Sequence, residues 1–311
     1  MSSPGPYDQT YRHLFRMAPP DTVQYGESDA DVLSPSRGFM AGFDYTMQLQ
    51  VGCPGGCLFC YVPSGPRFAP AAVRGPNGSR WGFEVRTKRN AIAKFQHHLE
   101  AGDLADRTVY WSGVTDPYAA PPVMTRALWE TLCAAPAAWR PRRIAIQTRF
   151  RPDRDADLLA RYARATTPAD GGPPVLVSYS LGTDREDLIR AWERATPPFR
   201  QRMAAIQRLR ERELCVVATL SPFGSWHDLC GALAQLDAWG VAYITLLFFK
   251  AAGPGATTPA PFRAYLAEAY PEVLDPTWQQ EHLAIVQSVF GPERVLVGRP
   301  GFASLAGAWR C

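Results

Sequence analysis

The stretch Val51-Gly-Cys-Pro-Gly-Gly-Cys-Leu-Phe-Cys-Tyr61 gathers three of the chain's seven cysteines, Cys53, Cys57 and Cys60, within eight residues. Thiolates this close on a Pro/Gly-flexible loop can converge on one soft metal centre. The number three is informative. A cubane of four irons on three protein thiolates leaves one iron open to an external ligand, whereas a structural zinc site takes a fourth protein ligand. No histidine occurs between His13 and His97, and the other cysteines begin at Cys133, so zinc would need a distant fourth partner. At this point both an iron–sulfur centre and a zinc centre stand.

Outward from the triplet, apolar and β-branched runs at 45–51, 108–112, 143–148, 175–180, 214–220 and 241–249 read as strands. Helical periodicity separates them at about 91–101, 123–134, 153–165, 199–213 and 226–239. Asp153 can cap the third of these helices and Ser225 the last. A six-fold alternation of strand and helix implies a parallel sheet with right-handed crossovers, either open or partly closed into a barrel. In both, ligands gather at the carboxyl ends of the strands, and the cysteine loop leaves the first strand there. Residues 1–40 are polar and Pro/Ser-rich and read as an irregular arm. Residues 41–250 carry the alternation. Residues 251–311, with a helix expected at 277–290 and a short apolar run at 295–297, read as an extension covering one end of the sheet.

Composition narrows the function classes. The net charge is +4, from 33 basic and 29 acidic side chains, which favours neither a nucleic-acid-coating protein nor an acidic tail. The longest apolar run, at 241–249, is about half of the roughly 20 residues that a membrane-spanning helix needs. Met1-Ser-Ser-Pro-Gly-Pro6 shows no basic region followed by an apolar run, and the cysteines do not form a spaced framework of pairs. The expectation is a cytoplasmic protein with reduced thiols or a metal site.

The Cys-x3-Cys-x-aromatic-Cys loop after the first strand, with Phe59 as its aromatic, resembles the radical S-adenosylmethionine superfamily. That resemblance implies a partial (β/α)6 barrel of TIM type in the α/β class. It also implies a [4Fe-4S] cluster on Cys53, Cys57 and Cys60, with S-adenosylmethionine on the open iron. Its reductive cleavage gives a 5′-deoxyadenosyl radical that abstracts hydrogen from a substrate.

Further segments between about 45 and 223 are similar to the spore photoproduct lyase-like branch. By that resemblance Tyr61 lies near the cofactor. Ser112, Thr115 and Asp116, in Trp111-Ser-Gly-Val-Thr-Asp-Pro-Tyr118, offer polar groups to its methionyl end. Arg149 stands where a lysine is usual, in a chain that has lysine only at Lys88, Lys94 and Lys250. Ser178 and Ser180 point the same way from their strand, Ser221 falls near the adenosine, and Glu193 is read as an architectural acceptor.

The likeness also breaks. The lyases carry a cysteine hydrogen donor in the turn where this chain has Ser112-Gly113-Val114, and glycine has no side chain with which to return a hydrogen atom. Cys133, Cys215, Cys230, Cys311, Tyr118 and Tyr179 are chemically able to quench a radical, and the two tyrosines are the candidate catalytic residues. Arg67, Arg74, Arg80 and 86–90, interleaved with Phe68, Trp81 and Phe83, are the one stretch suited to phosphates and bases; nucleic acid is not the favoured partner. The expected function is a radical enzyme acting on a small-molecule or nucleoside-like substrate, fed by an electron donor such as flavodoxin or ferredoxin. A photoproduct lyase-like repair enzyme and a zinc-stabilised, non-catalytic binding protein are the alternatives.

Overall fold

A computed structural model describes residues 3–65, 68–253 and 257–307. The chain forms strands β1 (Gln24–Ser28), β2 (Leu33–Pro35), β3 (Tyr45–Met47), β4 (Gln50–Val51), β5 (Glu84–Lys88), β6 (Thr108–Trp111), β7 (Arg143–Thr148), β8 (Val175–Ser180), β9 (Cys215–Phe223), β10 (Tyr243–Phe248) and β11 (Val295–Val297). Its helices are α1 (Pro6–Phe15), α2 (Ala71–Arg74), α3 (Ala91–Glu100), α4 (Pro122–Ala134), α5 (Ala156–Arg164), α6 (Glu186–Trp192), α7 (Phe199–Glu211), α8 (Leu229–Ala238), α9 (Ala260–Ala269), α10 (Pro276–Phe290) and α11 (Gly298–Ser304).

The main sheet has the order β11-β10-β9-β8-β7-β6-β3-β2. All its pairings are parallel except β2 with β3. Six strands in sequential order, separated by helices, make the expected partial barrel, and β11 adds a seventh parallel strand from the C-terminal segment. The period of two along each strand sorts the faces. Val175, Val177 and Tyr179 join the large cluster under the outer helices, while Leu176 joins a smaller inner cluster that Phe43, Phe302 and Leu305 close at the amino ends of the strands. Arg143, fully buried at that end, donates to the carbonyls of Pro173 (3.0 Å) and Ala306 (2.9 Å) and pairs with Asp170 at 3.2 Å. It thereby ties α11 to β7.

Several boundaries differ from the expectation. The run 45–51 is not one strand: the chain leaves the main sheet after Met47, and Gln50–Val51 pairs antiparallel with β5 in a separate sheet of order β1-β5-β4. The N-terminal arm is not irregular, because Tyr7 and Tyr11 bury one face of α1 against the cysteine-loop cluster. Asp153 does not cap α5. Its carboxylate pairs with Arg151 (2.8 Å) and Arg208 (2.7 Å), and α5 starts only at Ala156. Ser225 leaves the capping of α8 to Asp228, which accepts from the Gly231 N–H at 2.8 Å. The C-terminal segment divides its work: α9 packs over the cysteine loop, α10 on the outer face, and α11 at the opposite end.

His98 staples the arm to α3, with Nδ1 2.6 Å from Asp103 and Nε2 3.0 Å from Asp31. Burial opposes the charged imidazole, but the hydrogen bonds to Asp103 and Asp31 outweigh it and raise the His98 pKa. At Asp31 burial raises the pKa and is outweighed by the bonds from His98 and Val32, so the net direction is down. The staple therefore contributes fully below the unfolded histidine value and above the unfolded aspartate value. It fades as pH rises through the folded His98 pKa or falls through the folded Asp31 pKa. Because both carboxylates are about half exposed, His98→Ala should cost only about 0.5–1 kcal/mol at pH 6 and less at pH 9, measured by urea unfolding at the two pH values.

Candidate metal and cofactor site

The cysteine loop lies at the carboxyl rim of the sheet and is held by its backbone. Leu58 N–H donates to the Trp192 carbonyl (2.9 Å), Arg194 N–H to Gly55 (2.9 Å), and the Tyr7 hydroxyl to Gly56 (2.9 Å). Gly56 takes φ +54°, and a Cβ on Gly82 would sit 2.6 Å from the Gly56 Cα. Two glycines thus let the loop touch the segment before β5. Thr115 Oγ1 donates to the Gly52 carbonyl and accepts from Gln50 (3.0 Å), which couples the turn after β6 to the root of the loop.

All three thiols are held in a poorly hydrated setting. Burial pushes Cys53 up to about 12, with the Asp116 carboxylate adding to it, and Cys60 up to about 11. Cys57 is raised well above the usual thiol value, by burial first and by Glu193 next. Charge on Cys60 raises Cys53, and charge on either raises Cys57, so the three sulfurs share one neighbourhood. Among the described residues no three His, Cys, Asp or Glu side chains already close on a common point. The donor set fits a soft centre that supplies the missing positive charge and keeps an open position. The carboxylates nearest the thiols are already engaged, which argues against either serving as a fourth zinc ligand.

One of these is Asp116. Its Oδ1 accepts from the Tyr118 N–H (2.9 Å) and the Thr148 hydroxyl (2.6 Å), and its Oδ2 from the Arg149 N–H (2.7 Å). Expected to offer itself to the cofactor, this carboxylate locks the ends of β6 and β7 together. Ser112 Oγ donates to the Thr115 carbonyl (3.1 Å) within the same turn. Arg149 lies over the Phe59 ring at 4.9 Å and donates to Glu193 (3.1 Å) and to the Ser221 carbonyl. Phe59 itself packs edge-on against Phe262 and Phe249. Tyr61 donates to the Gly113 carbonyl and meets Phe68 edge-on at 5.2 Å. Ser178, Ser180 and Ser221 fall on the inner face by alternation. Ser178 is linked to Thr219 (2.5 Å), and Thr219 to Thr245 (2.7 Å), in a buried hydroxyl ladder.

The two candidate catalytic tyrosines are not on that face. Tyr179 alternates to the helix side and donates to the Phe150 carbonyl; Tyr118 accepts from Trp129 Nε1 at 3.0 Å beneath α4. The strand period sets the position of Tyr179, and the turn after β6 carries Tyr118 outward. Cys133 contacts the Leu158 carbonyl at 3.7 Å between α4 and α5, Cys230 is exposed on α8, and Cys215 is buried at the amino-end cluster. Cys311 lies outside the described residues.

Residues not foreseen are Tyr110, which donates to Gln147 on the inner face, together with Gln48, Tyr7 and Arg202. The strand period already puts Tyr110 and Gln147 in phase with Ser178; nothing local marks Tyr7 or Arg202. The basic stretch is consumed internally. Arg80 and Arg86 pair with Glu84, Arg89 with Glu27 and Asp29, and buried Lys88 donates to the Asp31 carbonyl at 2.5 Å. Arg67 lies outside the described residues.

No known protein-family description matches the sequence, and no curated protein does. Solved structures do. Spore photoproduct lyase complexed with dinucleoside spore photoproduct superposes with a TM-score of 0.54 at 15% identity, over 93% of this chain and 83% of that one. A substituted form of the lyase with bound AdoMet and the same dinucleoside gives 0.52 at 14% identity, over 93% and 83%. The radical S-adenosylmethionine methyltransferase TsrM from Kitasatospora setae, with tryptophan and aza-SAM bound, gives 0.51 at 12% identity, over 84% of this chain and 58% of that one. The fold read from the sequence is therefore the observed one.

The contact between Gly56 and Gly82 is the most sterically demanding point of the loop. Gly82→Ala, at φ +96° with backbone 2.6 Å from its new methyl, should destabilise the protein by roughly 2–3 kcal/mol and displace the loop. The checks are a urea midpoint and iron uptake, and unchanged values for both would refute the packing argument.

Proposed function

We propose that the protein is a radical S-adenosylmethionine enzyme. It would hold a [4Fe-4S] cluster on Cys53, Cys57 and Cys60, and S-adenosylmethionine across the carboxyl ends of β6 to β9. The observation that carries this reading is the placement of three thiols on one rim loop, Cys53 buried and Cys57 and Cys60 partly buried, with Asp116 and Glu193 already engaged by protein donors. When bound, the cluster supplies one-electron reductive cleavage of S-adenosylmethionine.

The chain's own residues do the remaining work. Arg149 presents a guanidinium whose orientation is set by Phe59, Glu193 and the Ser221 carbonyl before any ligand arrives, a form suited to a carboxylate. Ser178, Ser180 and Ser221 offer hydroxyls toward the inner face for the cofactor's polar groups. Tyr61 closes the loop over the turn after β6 and thereby positions Gly113. The inner wall excludes water from the reacting atoms.

A small-molecule or nucleoside-like substrate is favoured over a DNA lesion by two features. Gly113 removes the lyases' hydrogen donor, and the cations after the cysteine loop are paired within the protein. One-electron supply falls to a flavodoxin- or ferredoxin-type donor. No described helix is long and apolar enough to cross a membrane.

Anaerobic reconstitution with iron and sulfide, then dithionite and S-adenosylmethionine, should give cluster absorbance and 5′-deoxyadenosine, both lost in the triple Cys53/Cys57/Cys60→Ala variant. Arg149→Met should retain the cluster while weakening S-adenosylmethionine binding roughly 10- to 100-fold, the worth of one charge-assisted hydrogen bond. A colourless protein with tightly bound zinc and no cleavage would replace this reading with a metal-stapled binding domain.

A further inference from the structure

Glu193 is the meeting point of three elements. It follows α6, and its carboxylate receives Arg149 from the end of β7 at Oε1 (3.1 Å) and Arg202 from α7 at Oε2 (2.5 Å), with the Thr196 hydroxyl on Oε2 as well. The side chains are almost dry, with 4% of Glu193, 1% of Arg202 and 13% of Arg149 exposed. Arg202 is further anchored to the Pro197 carbonyl (2.7 Å), yet its buried Nη1 has no hydrogen-bond partner. Two guanidinium groups thus share one carboxylate, so the triad itself carries a net positive charge in a nearly dry region, with the Asp116 carboxylate acting on Arg149 from the side of β6.

That charge lies against the cysteine loop. The residues flanking Glu193 are bonded to the loop backbone, Trp192 through Leu58 and Arg194 through Gly55, and Arg149 covers Phe59. Of the charged groups around Cys57, Glu193 acts on it most strongly and Arg149 next. Asp116 adds to the burial that raises Cys53, and the Arg149 charge pulls Asp116 itself down against its own burial. Arg202 also donates to the Thr196 hydroxyl (2.7 Å), so it adds bonds as well as a buried charge, and its unsatisfied N–H adds a burial cost.

We infer that Arg149, Glu193 and Arg202 form a charge-setting triad whose net positive charge favours the electron-rich state of the centre held by the three thiols. The inference rests on the proposed cluster. Glu193 and Arg202 act through the field at Cys57 and through the orientation of Arg149, and are positioning residues. Buried charges at this distance are weakly screened by solvent or salt. The step is a single electron, delivered from outside and accepted by the centre, with no proton or bond exchanged.

The sign of the effect tests it. In the reconstituted full-length protein, the reduced fraction is followed by electron paramagnetic resonance during an anaerobic dithionite titration. Glu193→Gln keeps the shape and raises the triad's charge, so at the wild-type midpoint the ratio of reduced to oxidised cluster should rise roughly tenfold; Arg202→Met removes one positive charge, so that ratio should fall roughly tenfold. Arg202→Lys should return the midpoint toward wild type, and the shifts should persist at 0.5 M salt, a concentration of the order that suppresses surface pairs. If Arg202→Met does not fold, Arg149→Met removes the same charge from the other end of the triad. Shifts of the same sign in Glu193→Gln and the methionine variant, or no shift with the cluster loaded, would reduce the triad to a mechanical clasp. A wild-type protein that takes up no cluster would overturn the proposed function and this inference together.

Discussion

The side chains of a strand alternate between its two faces, and in a parallel sheet wrapped by helices this period of two decides what can be chemistry and what must be core. Along β8 it sends Val175, Val177 and Tyr179 under the helices and turns Ser178 and Ser180 inward. Along β9 and β10 it aligns Thr219 and Thr245 with them, so that hydroxyls of neighbouring strands bond across the inner wall. The amino-end half of that wall is apolar and plugged by aromatic residues from both termini. Polar groups are left only toward the rim where the cysteine loop lies.

The loop could not hold three thiols in place by itself, since nine residues rich in glycine and proline carry little internal structure. It is bonded instead to the segment around Glu193, to Tyr7 of α1 and to the turn after β6. Each support comes from a distant part of the chain, and each is a backbone carbonyl or amide given a partner that it would otherwise lack in a dry setting. The same economy governs the charges. Asp116 and Glu193 are buried but fully engaged.

Much of this was legible in the residues. The six strands and the helices between them follow from periodicity. The spacing of Cys53, Cys57 and Cys60 crowds three thiols on one loop, and the strand period puts Ser178 and Ser180 on one face. The same period, applied to Tyr179, would have excluded it from the inner wall, and applied to Tyr110 and Gln147 would have included them. The break between β3 and β4 was not legible, because the run 45–51 is continuously compatible with one strand; only the competing edge of β5 draws Gln50 and Val51 away.

Local patterns of hydrophobicity and of donor atoms are properties of short stretches, and for that reason the sequence by itself determined the alternating architecture and the crowding of three thiols on one loop. Pairing between distant residues depends on how those stretches pack. Only the tertiary structure decided that α1 closes over the loop, that the basic stretch is spent on its own acidic neighbours, and that Arg149 and Arg202 divide one carboxylate. A lone arginine in a sequence carries no sign of whether it will meet water or a buried glutamate, because the burial that makes that difference is created by the fold.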